Sequence, residues 1–358
     1  MNIRHAFPFF IALAASAFLS SVLHAEYFLT ITDLGTLGGR ESHASAVNDY
    51  GVVVGDAYTT DGVDHAFTYA NGVMTDLGTL GGDSSAATGI NNQNQIVGWS
   101  RTAVSPSRAF VFWKGVMIDL GTLGGNYSSA AAINNHGLIV GAADLTNGIE
   151  HAFSFSFSNG MMTDLGTLGG DSSYATAVSD NGEIVGVSDI PSSDRSQFSG
   201  GEYTFVYSNG SMQNLNTLGG PAGGLVYASC VNSSGQIAGN ETAGLSARGP
   251  NGFLTLGGAT TYLGDSTLSV SITGLNDYSL VVGTYATLPP AEMVSYPYLY
   301  SNGVFYNLNS LIDFSGSGFV QLNDVTAISN TGFIVGDAVA ADGNLHGFLL
   351  TPITHPSP

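Results

Sequence analysis

Cysteine and basic charge are almost missing from this chain, and each shortage removes a class of function. Cys230 is the only cysteine. An internal disulfide is therefore excluded. Seven Lys and Arg stand against 27 Asp and Glu, a formal net charge of −20. Long-range attraction to phosphate would have the wrong sign, so neither nucleic acid nor an anionic lipid surface is an expected partner. Charged residues of all kinds make up only 9% of the chain, and the mean hydropathy is +0.20. Such a composition requires elements buried on both faces, with Ser, Thr, Asn and Asp in turns carrying the solubility.

Long apolar runs are also scarce. The one candidate, residues 7–19, follows Arg4 and precedes Leu23-His24-Ala25. It is too short to span a bilayer and has the order of a secretory signal, so residues 1–25 are expected to be removed before Glu26. The C-terminal residues 351–358 form a short tail with no apolar segment. The expectation is an exported protein, periplasmic or extracellular, with no transmembrane anchor after processing.

Against these absences stands a phrase that recurs: Asp33-Leu34-Gly35-Thr36-Leu37-Gly38-Gly39, then residues 76–82, 119–125 and 164–170. A looser copy spans 214–220, and eroded ones fall at Leu263-Gly264 and 308–311. Its first leucines are Leu34, Leu77, Leu120, Leu165, Leu215, Leu263 and Leu308. Their spacing of 43 to 50 residues is that of a four-stranded propeller blade. A second phrase, two aliphatics and a glycine, ends at Gly55, Gly98, Gly141, Gly186, Gly239, Gly283 and Gly336. Two phrases with seven copies each predict an all-β, seven-bladed β-propeller over residues 26–350, with four antiparallel strands per blade. Helical periodicity is absent. In this register Cys230 shares a column with Ala46, Gly89, Ala132, Ala177, Gly274 and Ala327, the place of a small buried hydrophobe.

Turn chemistry supports the register. Between strands one and two, Asn134-Asn135-His136-Gly137 and its counterparts end on a residue needing positive φ, and Asn94 fills that place in the second unit. Between strands three and four, Asn71-Gly72, Asn159-Gly160, Asn209-Gly210 and Asn302-Gly303 signal tight hairpins. Residues 27–34 read as a fourth strand without its third, and residues 346–350 as a third without its fourth. Paired, they would close the ring and remove its last open edges.

With His65-Ala66-Phe67 and His151-Ala152-Phe153 beside the Leu-Gly-Thr-Leu-Gly-Gly phrase, the chain resembles the HAF-repeat family of extracellular bacterial proteins. Arg108-Ala109-Phe110, Tyr203-Thr204-Phe205 and His346-Gly347-Phe348 vary the triplet, and Tyr298-Leu299-Tyr300 loses it. The resemblance implies export and repeats. It carries no shared enzyme activity.

Residues repeated in every blade read as scaffold, so function is sought where the repeat breaks. Segments 187–202, 241–251 and 284–297 are extended; they hold Asp189, Asp194, Arg195 and Glu202 in the first and Glu292, Tyr296 and Tyr298 in the third. The second unit holds the densest basic and aromatic set: Trp99, Arg101, Arg108, Trp113 and Lys114. Trp faces stack on sugars and other flat groups, and Arg binds carboxylates in a fork, so these five are the candidate ligand residues. Carboxylate pairs for glycoside cleavage are available among Asp56, Asp61, Asp64, Asp180, Asp189 and Glu202, but no spacing selects two of them. Asp61-Gly62-Val63-Asp64-His65 and Asp342-Gly343-Asn344-Leu345-His346 hint at calcium without matching a full loop, and the histidines lack zinc spacing. His65, His151 and His346 share a column, which suggests a repeated structural hydrogen bond. No nucleophile elbow and no phosphate-cradling glycine pattern is present.

The expectation is a secreted, monomeric, non-enzymatic binding or surface-interaction module with no cofactor and no metal, whose partner is an extracellular glycan, small molecule or protein. A polysaccharide hydrolase or lyase on the same ring is the alternative, and a purely structural extracellular role is a third.

Overall fold

A computed structural model of the chain describes residues 29–104, 106–157, 159–191, 202–218, 225–242, 251–264, 268–287 and 294–353. The expected signal segment lies outside these residues. Seven antiparallel sheets follow one another along the chain, six of them a four-stranded meander. Blades 1 to 6 occupy residues 38–78, 81–119, 124–164, 173–214, 225–262 and 268–307. Blade 7 joins residues 319–352 to the first strand of the chain, Leu29–Asp33. The register runs from Leu29 opposite Pro352 to Asp33 opposite Phe348. The expected clasp is therefore present, and its C-terminal strand, Leu345–Pro352, continues two residues past the expected domain end at 350. Blade 7 also departs from the others in its inner strand, which is split into Phe319–Leu322 and Ala327–Ile328.

Blade 2 shows how the sequence makes each sheet: its strands are Gly81–Ile90, Ile96–Thr102, Ser107–Trp113 and Val116–Asp119. The first strand is longer than the small-residue stretch alone suggests, because the glycine pair of the phrase already belongs to it. Inner strands carry a bulge at the same place in blades 1 to 6, for example between Ala87 and Gly89, and in blade 7 the strand is broken there. At the blade 2 bulge the carbonyl of Ala86 presses against Gly98, where a Cβ would sit 2.0 Å from that oxygen. The other six glycines of this column meet the equivalent carbonyl at 1.8 to 2.3 Å. A side chain cannot enter such a gap, which is why this glycine appears in all seven units.

The Leu-Gly-Thr-Leu-Gly-Gly phrase is a hydrogen-bonded linker. Asp33, Asp76, Asp119 and Asp164 each accept the N–H of the glycine two residues on, at 2.7–2.8 Å. The threonine hydroxyl accepts from the next glycine N–H and donates to the carbonyl of the one after it, as Thr79 does with Gly81 and Gly82. Ser42, Ser85, Ser128 and Ser173 then donate back to the first glycine's carbonyl. Each also accepts an N–H from the third strand of the preceding blade, Gly347, Ala66, Ala109 and Ala152 in turn. The first leucine of every copy is buried, from Leu308 at 0% to Leu77, Leu120 and Leu263 at 8% exposed.

Packing is between blades. The cluster of Val97, Val111 and Leu120 from blade 2 with Ile133, Ile139 and Phe153 from blade 3 is one of seven such wedges. Phe67, Phe110, Phe153, Phe205, Phe253, Tyr298 and Phe348 hold the third position of the triplet and are fully buried; in blade 6 the register puts Tyr298, not Tyr300, in that column, so the triplet there is Tyr296-Pro297-Tyr298.

The turns separate the two ends of the ring. Asn71-Gly72, Lys114-Gly115, Asn209-Gly210, Gly257-Gly258 and Asn302-Gly303 have positive φ at both residues, the geometry of a type I′ hairpin. Asn159-Gly160 departs from the expectation. Blade 3 uses a four-residue loop there, residues 157–160, with only Gly160 at positive φ among its described residues. Those two extra residues account for the repeat lengthening from 43 to 45 at this step. At the other hairpin, Asn94 has φ 58°, as expected, and Ser279 takes the same conformation at φ 59° in blade 6.

Candidate functional site

The connection lengths distinguish the two faces. Turns joining strands one and two are all four residues long, running from a first Asn or Ser to a last positive-φ residue, from 48–51 to 329–332. They share their face with the hairpins joining strands three and four. On the opposite face, strands two and three are joined by residues 60–63, 103–106, 146–149 and 341–344 in blades 1, 2, 3 and 7. Blades 4, 5 and 6 use residues 190–201, 243–250 and 288–294. Every long strand-two to strand-three connection thus falls in three consecutive blades. The three extended segments singled out in the sequence are these connections; Asp194, Arg195 and Glu292 lie outside the described residues.

Tyrosines and carboxylates gather where these connections leave and rejoin the sheets. Tyr227 donates its hydroxyl to Glu202 Oε2 at 3.3 Å. Burial, with Glu202, Tyr227 and Glu150 nearby, pushes Tyr174 up to about 12. Glu150 is raised by burial and by Asp144. Tyr262 is raised by burial and by Glu241, to which it is hydrogen-bonded. Beside the third long connection, the rings of Tyr285 and Tyr296 lie 5.4 Å apart. Sequence reading missed Tyr174, Tyr227, Tyr262 and Tyr285. The available signal was their position at the ends of strands flanking the extended segments.

The five ligand residues expected in blade 2 do not converge. Arg101 is exposed, pairs with Asp83 at 3.4 Å and borders a recess of about 370 Å³ with Gly81, Gly82, Thr102 and Ala103. Trp99, half-buried, lies two residues earlier on the same side of the strand. Arg108 pairs across with Ser100, so it projects from the other side of that sheet. It occupies the column of His65, with Asp119 in the column of Asp76. Trp113 and Lys114 sit at the far end of the third strand, on the opposite face of the ring. There Lys114 Nζ lies 4.2 Å from the Trp113 ring centre, and Trp113 packs edge-on against Phe157. Three of the five therefore belong to the connection face and two do not.

The shared histidine column is structural, as its register suggested. His65 Nδ1 lies 2.9 Å from Asp76, His151 Nδ1 2.9 Å from Asp164 and His346 Nδ1 3.1 Å from Asp33, each between strands three and four of one blade. Cys230 is half-buried, not fully buried as its column suggested, like Ala46, Ala132, Ala177 and Ala327; desolvation pushes its thiol up to about 12, and Sγ donates to the carbonyl of Thr273 at 3.4 Å.

Around the axis, at the short-turn face, a cavity of about 220 Å³ has a floor of aliphatic side chains such as Val47, Ile90 and Ile133. Its rim is a circumferential chain of hydrogen bonds, open between Asp180 and Ser233. Asp49 N–H donates to Asn92 Oδ1, Asn92 to Asn135, Asn135 to Asp180, Ser233 to Asp277, Asp277 to Asn330 and Asn330 to Asp49. Asp180, one of the carboxylates available for catalysis in the sequence, is held in this rim.

The one ion pair between blades among the described residues is His43 Nδ1 to Asp337 Oδ2, at 2.6 Å, across the boundary of blades 7 and 1. Its neighbours are Asp56, opposite His43 on the second strand, and Asp64, whose Oδ1 is buried without a hydrogen-bond partner among the described residues. Burial, reinforced by Asp64 and Asp337 and opposed by His43, raises Asp56 to about 6. Among the described residues, the two Asp-Gly turns included, no three His, Cys, Asp or Glu side chains are set to hold a metal ion. No helix among them is long and apolar enough to cross a membrane.

No family model and no curated protein matches the chain. Solved structures match its fold. The chain is similar to the β-propeller domain of the Trilobed protease from Pyrococcus furiosus, with 10% identity, TM-score 0.52, 74% of this chain and 83% of that one covered. It is also similar to a puromycin-hydrolyzing peptidase of Mycobacterium tuberculosis, with 9% identity, TM-score 0.55, 91% of this chain and 53% of that one covered. The extracellular domain of a hybrid two-component system from B. thetaiotaomicron gives 10% identity and TM-score 0.50, covering 93% of this chain and 40% of that one. At these identities the likeness defines a class, the β-propeller, and nothing narrower.

Proposed function

We propose that this protein is an exported, monomeric, non-enzymatic binding module that takes an extracellular glycan, small molecule or protein on its connection face. The observation that carries this reading is the confinement of every long strand-two to strand-three connection to blades 4, 5 and 6. A scaffold needs only the short form, which blades 1, 2, 3 and 7 use. Added length on one side of a rigid ring is where recognition surfaces are built. The flanking Tyr174, Tyr227 and Tyr285 offer stacking faces, Glu202 and Glu241 offer acceptors, and Trp99, Arg101 and Arg108 extend the same face into blade 2. The apolar run at residues 7–19 and the HAF-repeat resemblance support export.

The test is a glycan, metabolite and extracellular-protein array with the wild-type chain, Glu202→Gln, Tyr227→Phe, Arg101→Ala and Trp113→Ala. Binding lost in the first two with fold retained supports the reading. Loss only in Trp113→Ala moves the site to the opposite face and defeats it. Turnover of an arrayed polymer, abolished by one carboxylate substitution, establishes the enzyme alternative instead.

A further inference from the structure

The blade boundaries are sealed in similar ways, yet among the described residues only one of them is sealed by an ion pair. At the boundary of blades 5 and 6, Asn240 reaches across from the second strand. Its Oδ1 accepts the N–H of Ile272 at 2.7 Å, and its Nδ2 donates to the Ile272 carbonyl at 3.0 Å. Asp337 occupies the same column at the boundary of blades 7 and 1. Its Oδ1 accepts the N–H of Ala44 at 3.1 Å, and its Oδ2 takes His43 Nδ1 at 2.6 Å. An amide pair holds one boundary and an ion pair the other, in the same geometry. The second boundary is also where residues nearly three hundred positions apart must meet to complete the ring.

We propose that the boundary between blades 7 and 1 is a pH-sensitive closure of the ring, with the His43–Asp337 pair as its fastening and the half-buried Asp56 beside it as a second titrating group. The charged groups facing His43 are all acidic: Glu41 on its own strand, Asp56 on the second strand and Asp337 from blade 7. Asp64, on the third strand, acts on Asp56, and Asp324 lies beside Asp337, accepting its N–H at 3.2 Å. Protonated His43 is thus the one cation in the cluster, and losing its proton leaves five carboxyl groups without compensation.

Both principal groups lose stabilisation in the same direction. The hydrogen bond to Asp337 is the main cause of His43 rising from 6.5 to about 9, with burial opposing it. A raised histidine contributes fully below 6.5, and that contribution is lost as pH climbs through about 9. Burial raises Asp56 from 3.8 to about 6. A raised carboxyl favours the fold below 3.8, and that preference is lost as pH climbs through about 6. Between about pH 4 and 9 the closure only weakens. Asn240 has no such dependence, because an amide does not titrate in this range.

Amide hydrogen exchange on the full chain tests this, read at Ala44 and Ile272 between pH 5.5 and 9 and corrected for intrinsic exchange. The expected result is a fall in Ala44 protection of about tenfold or more across that range, with Ile272 flat; one pKa unit corresponds to one factor of ten. Asp337→Asn should make Ala44 behave like Ile272, and Asn240→Asp should give Ile272 a slope. His43→Gln, which leaves Asp337 in place, should abolish the part of the slope above pH 7 if Asp337→Asn fails to fold. Equal slopes at Ala44 and Ile272 in the wild type, or an unchanged slope in His43→Gln, overturns the proposal.

Discussion

Blades 1 to 4 and blades 5 to 7 reach the same architecture with different amounts of the repeated phrase. Into each of the first four leads the whole set: Asp turn, Thr turn, and a serine bridging linker and neighbouring blade. At blade 5 the serine is gone, and Thr204 of blade 4 supplies a hydroxyl from the other side of the boundary, donating to Val226 and accepting from Ala228 at 3.2 Å. At blade 6 the bridge is Asn240. The linkers following blades 4 and 6 tighten into single 3-10 turns, Leu215–Leu218 and Leu308–Ser310, with Asn214 and Asn307 accepting in place of aspartate. What never changes is the glycine under the bulge and the leucine at the wedge. Close approach and apolar filling are thus the fixed requirements, and the polar seal between blades has several chemical solutions.

Substitution at the invariant column should erase this difference between the two halves. Gly141→Ala and Gly283→Ala place a Cβ 2.1 and 2.0 Å from a strand carbonyl. Both should cost roughly 4 kcal/mol or more, or prevent folding, with no distinction between halves when read by urea denaturation. A tolerated Gly283→Ala would show that the later blades are looser than their shared geometry implies.

At the seals the comparison sharpens. Ser128→Ala leaves the buried N–H of Ala109 without its acceptor, and Asn240→Ala does the same to Ile272. Each should cost about 1–3 kcal/mol, the penalty for an unsatisfied buried donor. Ser84→Ala, beside Ser85 and outside the bridge, should be nearly silent. Equal effects of Ser84→Ala and Ser128→Ala in the same denaturation series would remove the bridging role.

The smallest effect expected is a gain. Ser279 holds φ 59° where most of the ring has glycine. Ser279→Gly should raise stability by about 0.5–1 kcal/mol, since only the left-handed strain is relieved. The same glycine at Asn94 should gain less, because Asn tolerates that conformation better. Thermal midpoints of the two variants check the order.

The fold was legible because its two most demanding contacts, wedge leucine and bulge glycine, recur in every unit and so announce both period and count. Turn length was less legible: Asn159-Gly160 has the right residues for a two-residue hairpin, but Phe157 and residue 158 lengthen the loop. Proximity in sequence also misled at blade 2. Trp99 and Trp113 are near neighbours in sequence, yet a strand of six or seven residues carries the chain about 20 Å from one face of the ring to the other. His43 and Asp337 could not have been paired by reading, since neither belongs to a repeated phrase and only closure of the ring brings them together.

The clasp has a further consequence for how such a chain can grow. The covalent repeat starts with the fourth strand of one sheet and ends with the third strand of the next, so the unit of inheritance and the unit of folding are out of step by one strand. Gain or loss of a whole repeat by slippage in the gene therefore never strands a half-built sheet inside the ring. It leaves the same third strand seeking the same fourth. Ring number can drift while the closure is inherited intact, and the only cost is refitting the wedges.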